Sequence, residues 1–293
     1  MNKISVDCGV ETVSIAIKNI KYLLGFDYNK KWKIINEIKS AIDQDDSSEF
    51  STEFGISSKV LVNEKRILNK STFYFAVSPW FNFDDDMKLG SKSILSKYIS
   101  SFIEEIEFEE DFTLLSNVFD SLNSNYLEKK DIQYNDLSLK FIFKSMNSKI
   151  IQKLLVTIAL KDDYQICNYN LSIDERIILQ LMLIEKVALK NVSEVHFIFL
   201  EVQEVSESVK NFLSSIKCDN LYVLVIVPCV IGVETEEILI VNGSVIDCYS
   251  EEDVYRYFVE ELDFACNISD AKKKLSAIIG STSINWELVS LLT

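Results

Sequence analysis

The sequence predicts an α/β fold in which a sheet-based domain is interrupted by an inserted α-helical domain. Three observations lead there. Strand-period and helix-period stretches alternate at both ends of the chain. Two continuous apolar runs, VHFIFLEV and LYVLVIVPCV, flank the helix-like SESVKNFLSSI, as expected of neighbouring parallel strands covered on both faces. Between residues 91 and 189 the apolar spacing becomes largely helical. The predicted domains are 1–82 with 172–293, and the insertion 83–171.

Each element follows from local pattern. KISVDC and TVSIAIK alternate with period two and read as a hairpin around Gly9. IKYLLG is a third short strand. WKIINEIKSAI places Ile34, Ile35, Ile38 and Ile42 on one helical face. The polar stretch DQDDSSEFSTEF reads as an exposed loop. KVLVNEKRI reads as a hairpin turning at Asn63 and Glu64, and TFYFAVS as a buried strand.

After Pro79, SKSILSKYISSFIEEI, FTLLSNVFDSLNSNYL and LSLKFIFKSMNSKIIQKLLVTIAL each carry a helical apolar stripe. SIDERIILQLMLIEKVAL opens with Ser172 and, three residues on, Glu175, the pattern of a capping box. EILIVNGSVI predicts a hairpin through Asn242-Gly243. EEDVYRYFVEEL is helical, and the tail reads as one helix with a loose end.

Composition narrows the functions available. With 293 residues, 48% of them hydrophobic and 26% charged, the chain can bury a sizeable core. Only 7 Gly and 2 Pro disfavour an all-β protein of tight turns. A single histidine, His196, within a strand pattern, argues against Ser-His-Asp chemistry and multi-histidine metal sites. The six cysteines have no CxxC pair and read as reduced, mostly buried thiols. No signal-peptide pattern and no 18-residue apolar run is present, so a cytoplasmic protein with no membrane partner is expected.

The formal net charge is −15, which taken whole opposes nucleic-acid binding. It is unevenly spread. Residues 84–128 hold eleven acids and three lysines, whereas residues 129–161 hold seven lysines and two acids. Such a chain can present one basic surface. Lys140/Lys144 and Lys149/Lys153 are i,i+4 pairs, each sharing a helix face. The acid-rich Asp84-Asp85-Asp86 and residues 104–111 offer hard oxygens suited to Ca²⁺ or, more simply, a solvated charged face.

One stretch has the layout of a phosphate-binding loop: a strand, Gly25, four residues, Lys30-Lys31-Trp32, then a helix. Lys30 stands where the second glycine would allow a positive φ. Trp32 stands where a hydroxyl would hold Mg²⁺. Gly25, Lys30, Lys31 and Trp32 therefore form a degenerate loop or an ordinary strand-loop-helix. Glu201, ending VHFIFLE, occupies the place of an acid that would hold metal or activate water.

KNIKYLLGFDYNKKWKII, VNEKRI, KLGSKSILSKYI followed by IEEIEFEEDF, and LSIDERIILQLMLIEKV before HFIFLEV resemble longer variants of the Csn-two family. This is the accessory spacer-acquisition protein of type II-A CRISPR systems. The likeness lies in segment order and spacing over roughly residues 3–260. It implies a degenerate P-loop-ATPase-like sheet domain, no nucleotide, and no enzymatic activity.

The resemblance further implies a homotetrameric ring that loads on ends of double-stranded DNA and is stabilised by calcium. The CRISPR integrase complex and the RNA-guided effector nuclease are the implied protein partners. By segment order, the ring-lining lysines correspond to Lys129, Lys130, Lys140 and Lys144. The calcium oxygens would come from Glu128, Asp131, Asn135 and Asp136. The alternatives are an ATP-hydrolysing P-loop protein and a scaffold that binds only proteins.

Overall fold

The computed structural model describes residues 1–9, 11–43, 60–67, 70–90, 93–103, 109–127, 132–134, 137–139, 157–161, 163–261 and 266–280. The chain divides into two compact units, Met1–Phe81 with Ile173–Thr293, and Asn82–Ser172.

The first unit opens with β1 (Asn2–Asp7) and β2 (Thr12–Ile17), paired antiparallel from Asn2↔Ile17 to Asp7↔Thr12. Gly9 supplies the left-handed residue of their turn, at φ +81°. β3 (Ile20–Leu24) is buried along its whole length. Helix α1 (Tyr28–Asp43) buries Ile34, Ile35, Ile38 and Ile42, the face its spacing specifies. β4 (Val60–Val62) and β5 (Lys65–Arg66) form the expected hairpin. Asn63 and Glu64 both adopt positive φ, as a two-residue primed turn requires. β6 (Thr72–Val77) follows.

The second unit contains α2 (Phe83–Asp86), α3 (Ile94–Ile103) and α4 (Glu109–Leu122). It is not wholly helical. β7 (Ile132–Tyr134) pairs with β8 (Leu137–Leu139), and β9 (Leu160–Lys161) with β10 (Tyr164–Gln165), both antiparallel. The helical reading of 137–160 is therefore corrected at both ends. Ile132 and Tyr134 alternate with period two, as do Leu137 and Leu139, and each strand finds its partner close in sequence. A helical apolar stripe conceals so short a period-two segment at its edge.

The chain then returns to the first unit. There α5 (Ile173–Lys190) leads to β11 (Val195–Glu201), α6 (Glu207–Ser215) and β12 (Leu221–Ile226). Ser206 caps α6 by accepting from the Val209 N–H. β13 (Ile238–Val241) and β14 (Val245–Asp247) form the late hairpin. Helices α7 (Glu251–Arg256) and α8 (Ile268–Gly280) follow.

Among the described residues the first unit holds two sheets. A four-stranded antiparallel sheet has the order β2-β1-β4-β5. A six-stranded sheet has the order β14-β13-β3-β12-β11-β6, parallel from β13 to β6, with β14 antiparallel at the edge. In the small sheet β1 is paired on both sides, by β2 and β4. One core unites the two sheets: Ile34, Ile35 and Ile38 of α1 cluster with Ile4, Ile15 and Val60 of the small sheet and with Leu23, Phe197 and Leu224 of the large one.

A buried ion pair also ties the sheets. Lys21 of β3 is fully buried, and its Nζ lies 2.5 Å from Asp247 Oδ1. Lys21 also donates to the Glu236 carbonyl at 2.8 Å. Asp247 Oδ2 accepts from the Ala16 N–H of β2 at 2.6 Å. Removing one member strands the other charge without water. Lys21→Met is expected to lower unfolding free energy by about 3–5 kcal/mol in urea titrations. Lys21→Met/Asp247→Asn should recover part of the loss, because asparagine keeps an acceptor for Ala16.

Candidate functional site: the loop after the first central strand

The sheet order places the end of β3 at a topological switch point. The chain leaves β3 through α1 toward β6 on one side, whereas β13 lies on the other. Ligands of open α/β sheets bind in the crevice at such a point, outside the carboxyl ends of the strands. The Gly25–Trp32 stretch therefore stands where a ligand-binding loop would stand.

Its geometry is closed. Only Gly25, Phe26 and Asp27 separate β3 from α1, so Lys30 and Lys31 already lie within the first helical turn. Gly25 adopts φ +99°, and its N–H donates to the Pro228 carbonyl at 3.1 Å. A Cβ there would lie 2.3 Å from Asn242 Oδ1 and 2.4 Å from the Val241 carbonyl oxygen. The N–H groups of Gly25, Phe26, Tyr28, Lys30 and Lys31 meet acceptors of the chain itself. Phe26 N–H donates to Asn242 Oδ1 at 3.1 Å. Asp27 caps the helix, its Oδ1 accepting from Lys30 N–H at 2.9 Å and its carbonyl from Lys31 N–H at 3.1 Å.

The lysines are engaged too. Lys31 is 1% exposed. Its ammonium donates to the Gly25 carbonyl at 2.6 Å and to the Val227 carbonyl at 2.9 Å, and it sits 5.2 Å from the Tyr28 ring centre. Burial pulls its pKa down to about 8, opposed by the charges of Asp27, Cys229 and Glu201. Lys30 Nζ donates to the Gly243 carbonyl at 2.9 Å and pairs with Glu11 at 2.6 Å. Trp32 is 64% exposed.

Beside this loop runs a groove of about 580 Å³, all of its lining drawn from the first unit. Tyr28, Trp32 and Ile35 of α1 form one wall, and Ile173 and Ile177 of α5 another. Phe199 and Ile226 contribute from the strands, with Glu201 at the carboxyl end of β11. Gln180 of α5 grips Ser78 through two hydrogen bonds, its Oε1 accepting from the N–H and its Nε2 donating to the carbonyl. That contact fixes the turn that presents Trp80, which is 84% exposed.

Other candidates resolve differently. Lys129, Lys130, Lys140, Lys144, Lys149, Lys153, Glu128, Asp131, Asn135 and Asp136 lie outside the described residues. The capacity of Asp84-Asp85-Asp86 is spent within the chain. Asp86 is buried and caps α3, accepting from Ile94 N–H and Leu95 N–H at 2.9 Å each. Asp84 accepts from Asn168 N–H, and Asp85 pairs with Lys88. Among the described residues no three His, Cys, Asp or Glu side chains converge to hold a metal ion.

His196 is buried, with its ring stacked against Phe73 and Phe75 and its Nε2 3.5 Å from Glu194, a structural setting. All six cysteines are free thiols, but only Cys8, Cys218 and Cys248 are buried; Cys167 and Cys229 are exposed. Among the described residues no helix is long and apolar enough to cross a membrane.

No family model matches the sequence, and no curated protein matches it. Among solved structures the chain is similar to Stu0660 of Streptococcus thermophilus, with TM-score 0.65 and 12% identity. The match covers 99% of this chain and 91% of that one. Likeness at this identity shows the fold: a mixed α/β architecture shared over nearly the whole length.

Two consequences of the closed loop can be measured. Gly25→Ala combines positive φ with contacts below 2.5 Å to two oxygens, so it should destabilise by about 3 kcal/mol or more. Gly243→Ala, with nothing within 4 Å of the new Cβ, should stay within about 0.5 kcal/mol of the parent in the same urea titration.

The second consequence concerns Lys31, whose folded pKa of about 8 lies below the ordinary 10.5. Between those values the unfolded chain binds more protons, so stability rises with pH there; below pH 8 the folded state bears the full burial penalty of the charge. The difference in unfolding free energy between the parent and Lys31→Met should therefore grow by about 1 kcal/mol from about pH 7.5 to about pH 9. Taking the difference cancels the buried Cys248 thiol, pushed up to about 12 by desolvation and acting in the opposite direction in both proteins.

Proposed function

We propose that this chain is a non-enzymatic, Csn-two-like protein that binds double-stranded DNA in support of CRISPR spacer acquisition. The observation that carries the non-enzymatic part is the closed loop: Lys31 is spent on two carbonyls and Asp27 holds the helix N-terminus. A carboxylate in that position repels a phosphate, and no hydroxyl follows the lysine to hold Mg²⁺. In chain order the five parallel strands run 5-1-4-3-2 across the sheet, which supports reading the unit as a degenerate P-loop-ATPase-like domain. The whole-length likeness to Stu0660 supports a common fold, and the segment resemblance supplies the DNA-binding expectation.

On this reading Lys129, Lys130, Lys140 and Lys144 contact phosphates. Glu128, Asp131, Asn135 and Asp136 are the proposed calcium oxygens. Four copies close into a ring, because assembly gathers basic patches that are individually weak on a chain of net charge −15. The integrase complex and effector nuclease are the proposed protein partners, in the cytoplasm. A scaffold binding only proteins is the second reading, favoured by that same net charge. The closed loop disfavours the third, an ATP-hydrolysing protein.

Phosphate contacts carry no sequence information, so linear duplexes of different sequence should bind alike. Affinity should fall steeply between about 50 mM and about 200 mM salt as counterions are released. Covalently closed circles should compete poorly, and Lys140→Glu/Lys144→Glu should abolish binding while circular dichroism stays unchanged. Labelled-duplex titration with a circular competitor tests all of this. Equal competition by circles contradicts ring loading; unchanged binding by the folded double variant contradicts the assigned lysines.

A further inference from the structure

We propose that the groove between α1 and α5 docks a partner-protein segment carrying an arginine or lysine beside aliphatic or aromatic residues. Trp32 and Trp80 are 64% and 84% exposed on its edges, and Ile173 is 55% exposed beside them. Large apolar side chains gathered on one exposed surface mark an interaction site more often than scattered ones do. The volume of about 580 Å³ accommodates a few side chains.

Charge selects the occupant. Both lining lysines are already engaged: Lys31 on the Gly25 and Val227 carbonyls, Lys39 over the Tyr74 and Phe199 rings at 5.8 and 5.2 Å. Asp174 accepts from the Ser208 hydroxyl at 2.6 Å. The exposed carboxylates of Glu201 and Glu204 remain: Glu201 acts on buried Lys31 only through its field, and among the described residues no lysine or arginine lies within ion-pair distance of either.

Aromatic side chains and exposed carboxylates lining one groove complement a guanidinium or ammonium, which gains from both ring and anion as water leaves. A phosphate or a nucleic-acid strand would meet net negative charge, whereas a basic-apolar peptide meets complementary charge and an apolar floor. The proposal does not rest on duplex binding, so Trp80→Ser, which changes no charge, should leave linear-duplex affinity unchanged.

The test pans a displayed library of random peptides, about twelve residues long, on the immobilised full-length chain, then measures synthetic hits by fluorescence anisotropy. Selected peptides should be enriched in arginine or lysine flanked by apolar residues. Their affinity should drop at least about tenfold for Trp80→Ser and for Glu201→Lys/Glu204→Lys, both folded by circular dichroism because the altered side chains are exposed. Several results would overturn the proposal. These are acidic hits, hits indifferent to both variants, no hits, displacement of hits by duplex DNA, or concentration-dependent burial of Trp80 by a second copy of the chain.

Discussion

The ammonium of Lys31, held between the Gly25 and Val227 carbonyls at 2.6 and 2.9 Å, is the contact on which the central unit turns. It joins the first turn of α1 to the ends of two adjacent strands, β3 and β12. With Gly25 pinned against Asn242 and Val241, the strand must stop and the helix must start within three residues. The helix is then set so that Ile34, Ile35, Ile38 and Ile42 reach the core shared by both sheets. A buried charge is tolerable there because both carbonyls and the Tyr28 ring face it.

The same closure changes what the crevice can do. In an open α/β sheet, free N–H groups and a free lysine at this point attract anions. Here the helix N-terminus faces Asp27 and the lysine is buried, so the crevice keeps its concavity and loses its positive charge. What remains accessible is aromatic and acidic: Trp32, Trp80, Glu201 and Glu204. Such a surface suits cationic and apolar groups better than phosphate. Any attraction for DNA must be supplied elsewhere in the chain, where the lysines concentrate between residues 129 and 161.

Much of the fold is legible locally, because it is written in short periods. The isoleucine face of α1, the Asn63-Glu64 turn and the parallel β11-β12 pair all follow from patterns spanning fewer than about forty residues. The site was legible only in part. Spacing points to Gly25–Trp32 and to its missing glycine and hydroxyl, but the groups that close it, Val227 and Asn242, lie 196 and 216 residues away from their partners. The buried Lys21–Asp247 pair was not read from the sequence, since nothing in IKYLL selects Asp247, 226 residues away, from the many carboxylates. Trp80 gave no sequence signal at all, and the Gln180–Ser78 hydrogen bonds beside it join residues 102 apart. The short strands β7 to β10 were hidden for the opposite reason, lying at the margins of a longer helical stripe.

The central claim, that the chain's own groups fill the phosphate position after β3, is tested most directly by calorimetric titration of the full-length protein with ATP and Mg²⁺. Thermal unfolding with and without the nucleotide should accompany it. The closed loop predicts no heat of binding at millimolar nucleotide and no shift in unfolding temperature, because binding would have to displace Asp27 and free Lys31 from both carbonyls. Saturable binding in the micromolar range that Lys31→Met abolishes would contradict the account.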